Sequence, residues 1–181
     1  MQILKNKVAI VTGGSKGIGK GLASEFYKQG ANVIIVSRSE ENIDKAIKEI
    51  TQKRTNIIKG FQGDISDYEL GKKIRKYTLE EFGRIDILIV NGGGPPAKGL
   101  SDTKEEDWQK AISENLLGPI LLMKEIVKTM QNQKYGRIIA INSTVAKEPS
   151  PKMILSASTR AGIISFMKSL SIEVGKDGIT A

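Results

Sequence analysis

The chain has 181 residues, of which 39% are hydrophobic and 27% charged, a composition typical of one compact globular domain spanning 1–181. It contains no cysteine and no histidine, which excludes disulfides, thiolate metal sites and the usual acid/base group near neutral pH. Its apolar runs are too short for a signal peptide or a membrane span. We therefore predict a cytoplasmic protein with no metal site and no membrane partner.

The net charge of +8 is compatible with nucleic-acid binding, but the charges are scattered along the chain. The densest basic cluster, KKIRK at 72–76, lies on a predicted helix and is typical of a solvated helix face. Aromatic residues make up only 5% of the chain, too few for an extended base-stacking surface. We expect no nucleic-acid partner.

Strand and helix patterns alternate along the chain. The predicted strands are 8–12, 32–37, 56–64, 85–91 and 136–143. The predicted helices lie within 13–30, 39–53, 66–82, 104–131 and 152–174, with Ser39 as an N-cap and Gly30 and Gly175 as C-terminal stops. Five successive β–α units predict an α/β fold, a doubly wound parallel sheet with helices on both faces.

The last residues, GITA at 178–181, have the pattern of a sixth strand that has just begun. Without that strand, 136–142 would form an exposed apolar edge, which soluble proteins avoid. The sheet thus reads as truncated after its fifth β–α unit, and we expect the native product to continue.

The carboxyl ends of the predicted strands carry small or polar residues, and ligands of such sheets bind at these ends. The first end, TGGSKGIG at 12–19, joins a strand to a helix. Its glycines allow a tight turn and close approach to a pyrophosphate, while the helix N-terminus supplies free N–H groups. This favours a dinucleotide site, and the alternative is a tight turn without a ligand.

The second strand ends at Ser37 and Arg38, with no carboxylate at the position that would bind the ribose hydroxyls of NAD. Arg38 offers a planar fork for a phosphate, and Lys16 adds a second cation from the glycine loop. The pair favours NADP(H), and the alternative is two solvated surface cations.

Further motifs match one family. NGG at 91–93, ENLLG with Asn115, INS with Ser143, and Asp64 join TGGSKGIG in a pattern that resembles the short-chain dehydrogenase/reductase family, most closely its 3-oxoacyl-acyl-carrier-protein reductase-like members. The resemblance implies a Rossmann-type fold. The glycine loop, the strand ends and this resemblance together predict the residues that contact the cofactor. These are Gly13, Ser15, Lys16, Gly17, Ile18, Gly19, Ser37, Arg38, Asp64, Ile65, Asn91 and Gly92.

The family's catalytic YxxxK pair is replaced. The family tyrosine follows the INS serine by thirteen residues, which here is Ser156, and four residues further lies Arg160. The downstream run FMKSLSIE at 166–173 resembles the family pattern in the same register, which excludes Leu155 with Thr159. A serine hydroxyl is a much poorer acid than tyrosine, and arginine stays protonated.

Two readings of this replacement remain open. In the first, the protein is an NADP(H)-dependent oxidoreductase for a small carbonyl or alcohol substrate. Ser143, Ser156, Arg160 and Asn115 then face the substrate as the catalytic site. The first three polarise the carbonyl, and bound water is the proton donor. Lys152 is a candidate replacement acid or a solvated lysine. In the second, an inherited scaffold binds NADP(H) without catalysis, as a sensor or assembly partner.

The helices at 104–131 and 152–174 are apolar on more than one side. In the family that the chain resembles, these helices form an interface, which implies a homodimer or homotetramer. The alternative is burial within one enlarged core.

Overall fold

The computed structural model describes residues 2–51 and 55–181 and contains one six-stranded sheet. The strands are β1 (Val8–Thr12), β2 (Asn32–Ser37), β3 (Ile58–Gln62), β4 (Ile87–Val90), β5 (Gly136–Ala140) and β6 (Ile179–Thr180). Their order is β3-β2-β1-β4-β5-β6, and every pairing is parallel. The predicted parallel sheet is confirmed, and so is the sixth strand at its edge.

Helices cover both faces of this sheet. They are α1 (Gly17–Lys28), α2 (Glu40–Ile50), α3 (Leu70–Phe82), α4 (Glu105–Ile112), α5 (Gly118–Gln133) and α6 (Ile154–Val174). One core packs α1 and α2 against side chains such as Val11 and Ile35, and the other packs α3, α5 and α6 against Ile10 and Leu88. Alternate residues of each central strand therefore serve opposite cores, which confirms the doubly wound arrangement.

The strand order reverses between β1 and β4, since successive strands run outward from β1 on one side and from β4 on the other. This reversal leaves a crevice above the carboxyl ends of the two central strands, where the connecting helices diverge to opposite faces. The fold thus presents the glycine loop and the segment after β4 to one common space.

Several predicted boundaries are corrected. Helix α3 begins at Leu70 rather than 66, because the Asp64 carboxylate accepts hydrogen bonds from the Ser66 N–H (2.9 Å) and hydroxyl (2.8 Å) in a turn. Helix α2 ends at Ile50, and predicted residues 52–53 lie outside the described residues. The Ser39 N-cap is confirmed, since its hydroxyl accepts from the Asn42 N–H at 3.2 Å.

Helix α6 ends at Val174, as predicted, but Gly175 is not a left-handed C-terminal glycine. It has a right-handed helical conformation and opens a short 3-10 turn, Gly175–Asp177. The left-handed residue is Gly178 (φ 73°), where a Cβ would lie 2.5 Å from the Lys134 carbonyl oxygen. Glycine is thus needed at 178, where the chain turns into β6.

The predicted helix at 104–131 extends to Gln133 and contains a π-helical turn, Ser113–Leu117, between α4 and α5. There the Gly118 N–H donates to the Ser113 carbonyl, five residues back. A Cβ on Gly118 would lie 2.0 Å from the Ile65 carbonyl oxygen, so glycine allows this turn to approach the end of β3. The extra residue in the turn changes which side chains face the sheet.

The basic cluster at 72–76 is neutralised by neighbouring carboxylates. Its cations pair as Lys72 with Glu69, Lys73 with Asp67, Arg75 with Glu125 and Lys76 with Glu80. Such pairing is typical of a solvated helix face. Among the described residues, no helix combines the length and apolar character needed to cross a membrane.

The first turn of α1 packs against the ends of β1 and β4. Gly19 lies so close that a Cβ there would be 2.2 Å from the Gly13 carbonyl oxygen and 2.7 Å from Nδ2 of Asn91. Two residues on, Gly21 is exposed, and a Cβ there would meet no atom within 4 Å. The two glycines therefore form a matched pair, one in a tight contact and one in open space.

We expect Gly19→Ala to lower the free energy of unfolding by about 1–3 kcal/mol, because the methyl group would push α1 away from the backbone of Gly13. Gly21→Ala should be neutral or stabilising by up to about 1 kcal/mol, because alanine favours helix. Urea denaturation of both variants measures the difference. Equal stability of the two variants would show that the contact at Gly19 is not a packing constraint.

Candidate functional site

A cleft of about 560 Å³ lies at the carboxyl ends of the central strands. All of the predicted cofactor residues except Gly19 line it. Gly19 instead lies behind the loop, where it sets the approach of α1. The structure thus brings eleven of the twelve predicted cofactor residues together in one cleft, from the ends of four strands.

The glycine loop has a defined conformation. Gly13 (φ 58°) and Gly17 (φ 53°) adopt left-handed conformations that favour glycine, and a Cβ on Gly17 would meet no atom within 4 Å. The Ser15 hydroxyl lies 2.8 Å from the Ser37 hydroxyl, which links the loop to the end of β2. The loop is therefore held from the side while its backbone remains open to the cleft.

Asn91 ties β4 to β1. Its N–H donates to the Thr12 hydroxyl (2.9 Å), and that hydroxyl donates to the Asn91 carbonyl (2.8 Å). The Asn91 amide nitrogen Nδ2 lies 3.3 Å from the carbonyl oxygens of both Thr12 and Gly13. These bonds fix the floor of the cleft at the strand-order reversal.

Lys16 and Arg38 flank one end of the cleft, and both are exposed. Within residues 2–51 and 55–181, neither cation has an ion-pair partner. The Arg38 carbonyl accepts from Nε2 of Gln62 at 3.0 Å, which fixes its backbone beside β3. Two uncompensated cations at this end favour an anionic ligand group.

A second cavity of about 40 Å³ adjoins the cleft. Four residues line both spaces: Ile65, Asn91, Gly92 and Glu114. Asn115 and Arg160 line only the smaller cavity. The two spaces meet at this junction, so a ligand bound along the strand ends would reach Arg160 and Asn115.

Arg160 presents a partly desolvated cation to the smaller cavity. Its Nη1 donates to the Ile141 carbonyl at 3.2 Å, and its own carbonyl accepts from Nδ2 of Asn142 at 3.2 Å. Burial lowers the pKa of the Arg160 guanidinium from its ordinary value. No carboxylate in the described part of the chain forms an ion pair with it, so most of its donors remain available.

Asn115 lies in the π-helical turn and is 7% exposed. Its Nδ2 is buried and has no hydrogen-bond partner among the described residues. An unpaired buried amide is costly, and it commonly marks a place for water or ligand. Asn115 thus lines the same cavity as Arg160 and carries an unpaired donor in its side chain.

The two predicted serines line neither cavity. Ser156 is 4% exposed, one turn before Arg160, and Ser143 is half-buried at the start of the 3-10 turn Thr144–Ala146. The excluded register, Leu155 with Thr159, is buried, and the Thr159 hydroxyl donates to the Leu155 carbonyl (2.8 Å). Lys152 is exposed, precedes α6 with φ 61°, and also lines neither cavity.

Sequence reasoning missed Glu114, which lines both cavities. Its position beside Asn115 was the available signal. A regular helical repeat does not predict that Glu114 lines the cavities, because the π-helical turn changes the directions in which side chains 113–117 point. In the described residues, no group of three or more acidic side chains is arranged to hold a metal ion.

Comparison with known proteins agrees with this geometry. The chain is 35% identical over 178 residues to the 3-oxoacyl-[acyl-carrier-protein] reductase FabG of Chlamydia muridarum, covering 98% of this chain and 71% of that protein. A crystal structure of a short chain dehydrogenase from Bacillus anthracis superposes with a TM-score of 0.90 at 35% identity, covering 95% of this chain and 69% of that one.

A metagenomic short-chain oxidoreductase in complex with NADP superposes with a TM-score of 0.91 at 28% identity, covering 97% of this chain and 80% of that one. Residues 7–181 match the family profile described as short chain dehydrogenase. From residue 7 onward, the chain belongs to the short-chain dehydrogenase family of oxidoreductases.

Proposed function

We propose that the protein is an NADP(H)-dependent oxidoreductase that interconverts a small carbonyl compound and its alcohol through an atypical active site. The observation that carries this proposal is the open cleft with Lys16 and Arg38 at one end, joined to the cavity of Arg160 and Asn115 at the other. A dinucleotide phosphate has anionic groups for the first end and a polar ribose for the second.

The residues present fit this cofactor. The glycine loop forms an open cradle at the N-terminus of α1, whose free N–H groups and positive dipole end suit a pyrophosphate. Lys16 and Arg38 would hold the additional phosphate of NADP(H). The unpaired Nδ2 of Asn115 would donate a hydrogen bond to an acceptor of the bound ligand. When bound, the nicotinamide supplies the hydride.

Arg160 would hold the nicotinamide ribose and direct a guanidinium N–H toward the substrate oxygen. A preorganised cation in a partly desolvated cavity stabilises the negative charge that develops on that oxygen. Ser143 and Ser156 remain predicted substrate-facing residues, although they line neither cavity. Their role is polarisation of the carbonyl rather than proton transfer.

A second candidate function is NADP(H) binding without turnover. It is favoured by the burial of Ser156, which lines neither cavity at the position where the family has its catalytic tyrosine. A protein of this kind would bind NADP(H) in the cleft, and the bound state itself would be the signal.

We further propose self-association through α6 and the π-turn region. Ile112 (42% exposed), Leu117 (37%) and Ile172 (71%) remain accessible although their helices contribute to the core. Apolar side chains exposed on neighbouring helices favour a homodimer or homotetramer. Analytical ultracentrifugation distinguishes these states from a monomer.

Arg38→Asp should weaken NADPH binding by about 10–100-fold, the worth of a charged hydrogen bond to phosphate, while NADH binding stays within a fewfold of wild type. Fluorescence titration with both reduced cofactors measures the two dissociation constants. Lys48→Asp is the matched control, since it makes the same charge change on the exposed face of α2. Equal affinity of the wild type for both cofactors would contradict the roles of Lys16 and Arg38.

Turnover is tested by NADPH consumption with a panel of ketones and β-ketoacyl thioesters. We expect the wild type to be active and Ser156→Tyr/Arg160→Lys to be at least as fast, because a tyrosine–lysine pair restores the proton donor of the family. Ser158→Tyr, on the exposed side of α6, is the control and should leave the rate unchanged. Activity confined to the double variant would instead support the non-catalytic function.

A further inference from the structure

The two cavities contain few groups that can exchange a proton. The titratable side chains lining either space are Lys16, Arg38, Asp64, Glu114 and Arg160. None is a tyrosine, histidine or cysteine. A proton that passes to a substrate oxygen from a titratable side chain lining these cavities must therefore come from this short set.

Four of these five groups are unsuited to the task. Arg38 and Arg160 stay protonated at any working pH. Lys16 lines the large cleft but not the smaller cavity. Asp64 accepts two hydrogen bonds from Ser66, which hold its carboxylate in a turn, and it does not line the smaller cavity.

Glu114 is the one carboxylate among these five groups that lines both cavities. It lines both spaces at their junction, and it shares the smaller cavity with Arg160 and Asn115. The π-helical turn, held against the end of β3 by Gly118, sets this position. Its side chain is 27% exposed, so solvent reaches the carboxyl group.

We propose that the carboxyl group of Glu114 exchanges the proton with the substrate oxygen, and this role rests on the proposed oxidoreductase function. The work of a tyrosine–lysine pair on one helix is then divided between two helical segments. Arg160 supplies the permanent positive charge, and Glu114 supplies the acid and its conjugate base.

In reduction, the carbonyl carbon would gain the hydride that a bound reduced nicotinamide supplies, and the C=O π electrons would pass to the oxygen. The oxygen forms an O–H bond with the proton of the Glu114 carboxyl group, which becomes a carboxylate and is reprotonated by solvent. In oxidation, the Glu114 carboxylate takes the hydroxyl proton, the O–H bonding electrons form the C=O π bond, and the hydride would pass from the carbon to the oxidised nicotinamide.

Three other charged groups lie around Glu114. Lys110 lies one turn earlier, with its Nζ 4.0 Å from a Glu114 carboxylate oxygen, and Arg160 lines the same small cavity from α6. Asp64, which lines the large cleft after β3, carries the opposite charge. Two of the three neighbouring groups are therefore cations.

Glu114→Gln tests this role, with Glu106→Gln on the exposed first turn of α4 as the matched control. NADPH affinity is measured by fluorescence titration, and kcat is measured with the most active ketone of the panel and with its alcohol. We expect Glu114→Gln to lower kcat by about 10²–10⁴-fold, the usual worth of a general acid or base, with the NADPH dissociation constant within twofold of wild type. Glu106→Gln should leave both unchanged.

Two further measurements separate proton transfer from a structural role. Formate added to Glu114→Ala should restore part of the lost kcat by replacing the missing carboxylate. In the Ser156→Tyr/Arg160→Lys background, Glu114→Gln should cost little, because the tyrosine then supplies the proton. Equal losses in both backgrounds would overturn the proposal.

The outcomes also separate this role from the proposed function. An active wild type with an unaffected Glu114→Gln variant overturns the role of Glu114 alone. A loss that is matched by weaker NADPH binding likewise assigns Glu114 to cofactor binding. A wild type that binds NADPH but reduces no member of the panel overturns the oxidoreductase function and the Glu114 role together.

Discussion

The site depends on how closely three backbone segments approach one another at the reversal of strand order. Thr12 and Asn91 exchange hydrogen bonds between β1 and β4, and Gly19 brings α1 to within van der Waals contact of both segments. A side chain at 13 or 19 would occupy the space of Asn91. The phosphate cradle and the floor of the cleft are therefore one packing unit, and its geometry follows from the absence of two β-carbons.

A second constraint is the π-helical turn, which links the cofactor cleft to the smaller cavity. Gly118 lets this turn approach the Ile65 carbonyl, and the extra residue buries Asn115 while Glu114 reaches the junction. A regular α-helix through 105–133 would distribute these side chains differently, since its repeat is 3.6 residues. The same local departure thus leaves Ile112 and Leu117 exposed and directs two polar side chains inward.

The sheet, and the cleft at the carboxyl ends of its strands, could be predicted because their sequence signals are local. Apolar runs mark the strands, and TGGSKGIG between a strand and a helix carries its own turn chemistry. Boundaries were harder where side chains compete with the backbone, as at Asp64 and Ser66, which delay α3. The end of α6 at Val174 was predicted, but the left-handed glycine was not, because glycine is required at 178 by contact with Lys134, forty-four residues away in sequence.

The position of Glu114 could not be predicted for a related reason. The sequence identified Ser156 and Arg160 by register, yet only Arg160 meets the cavity, because burial of Ser156 depends on how α6 packs. The family tyrosine lies on α6, so the sequence register points to α6 for its replacement. In the structure, Glu114 of the π-helical turn shares the smaller cavity with Arg160 of α6. In our proposal the carboxyl group exchanges the proton, and the guanidinium stabilises the developing charge.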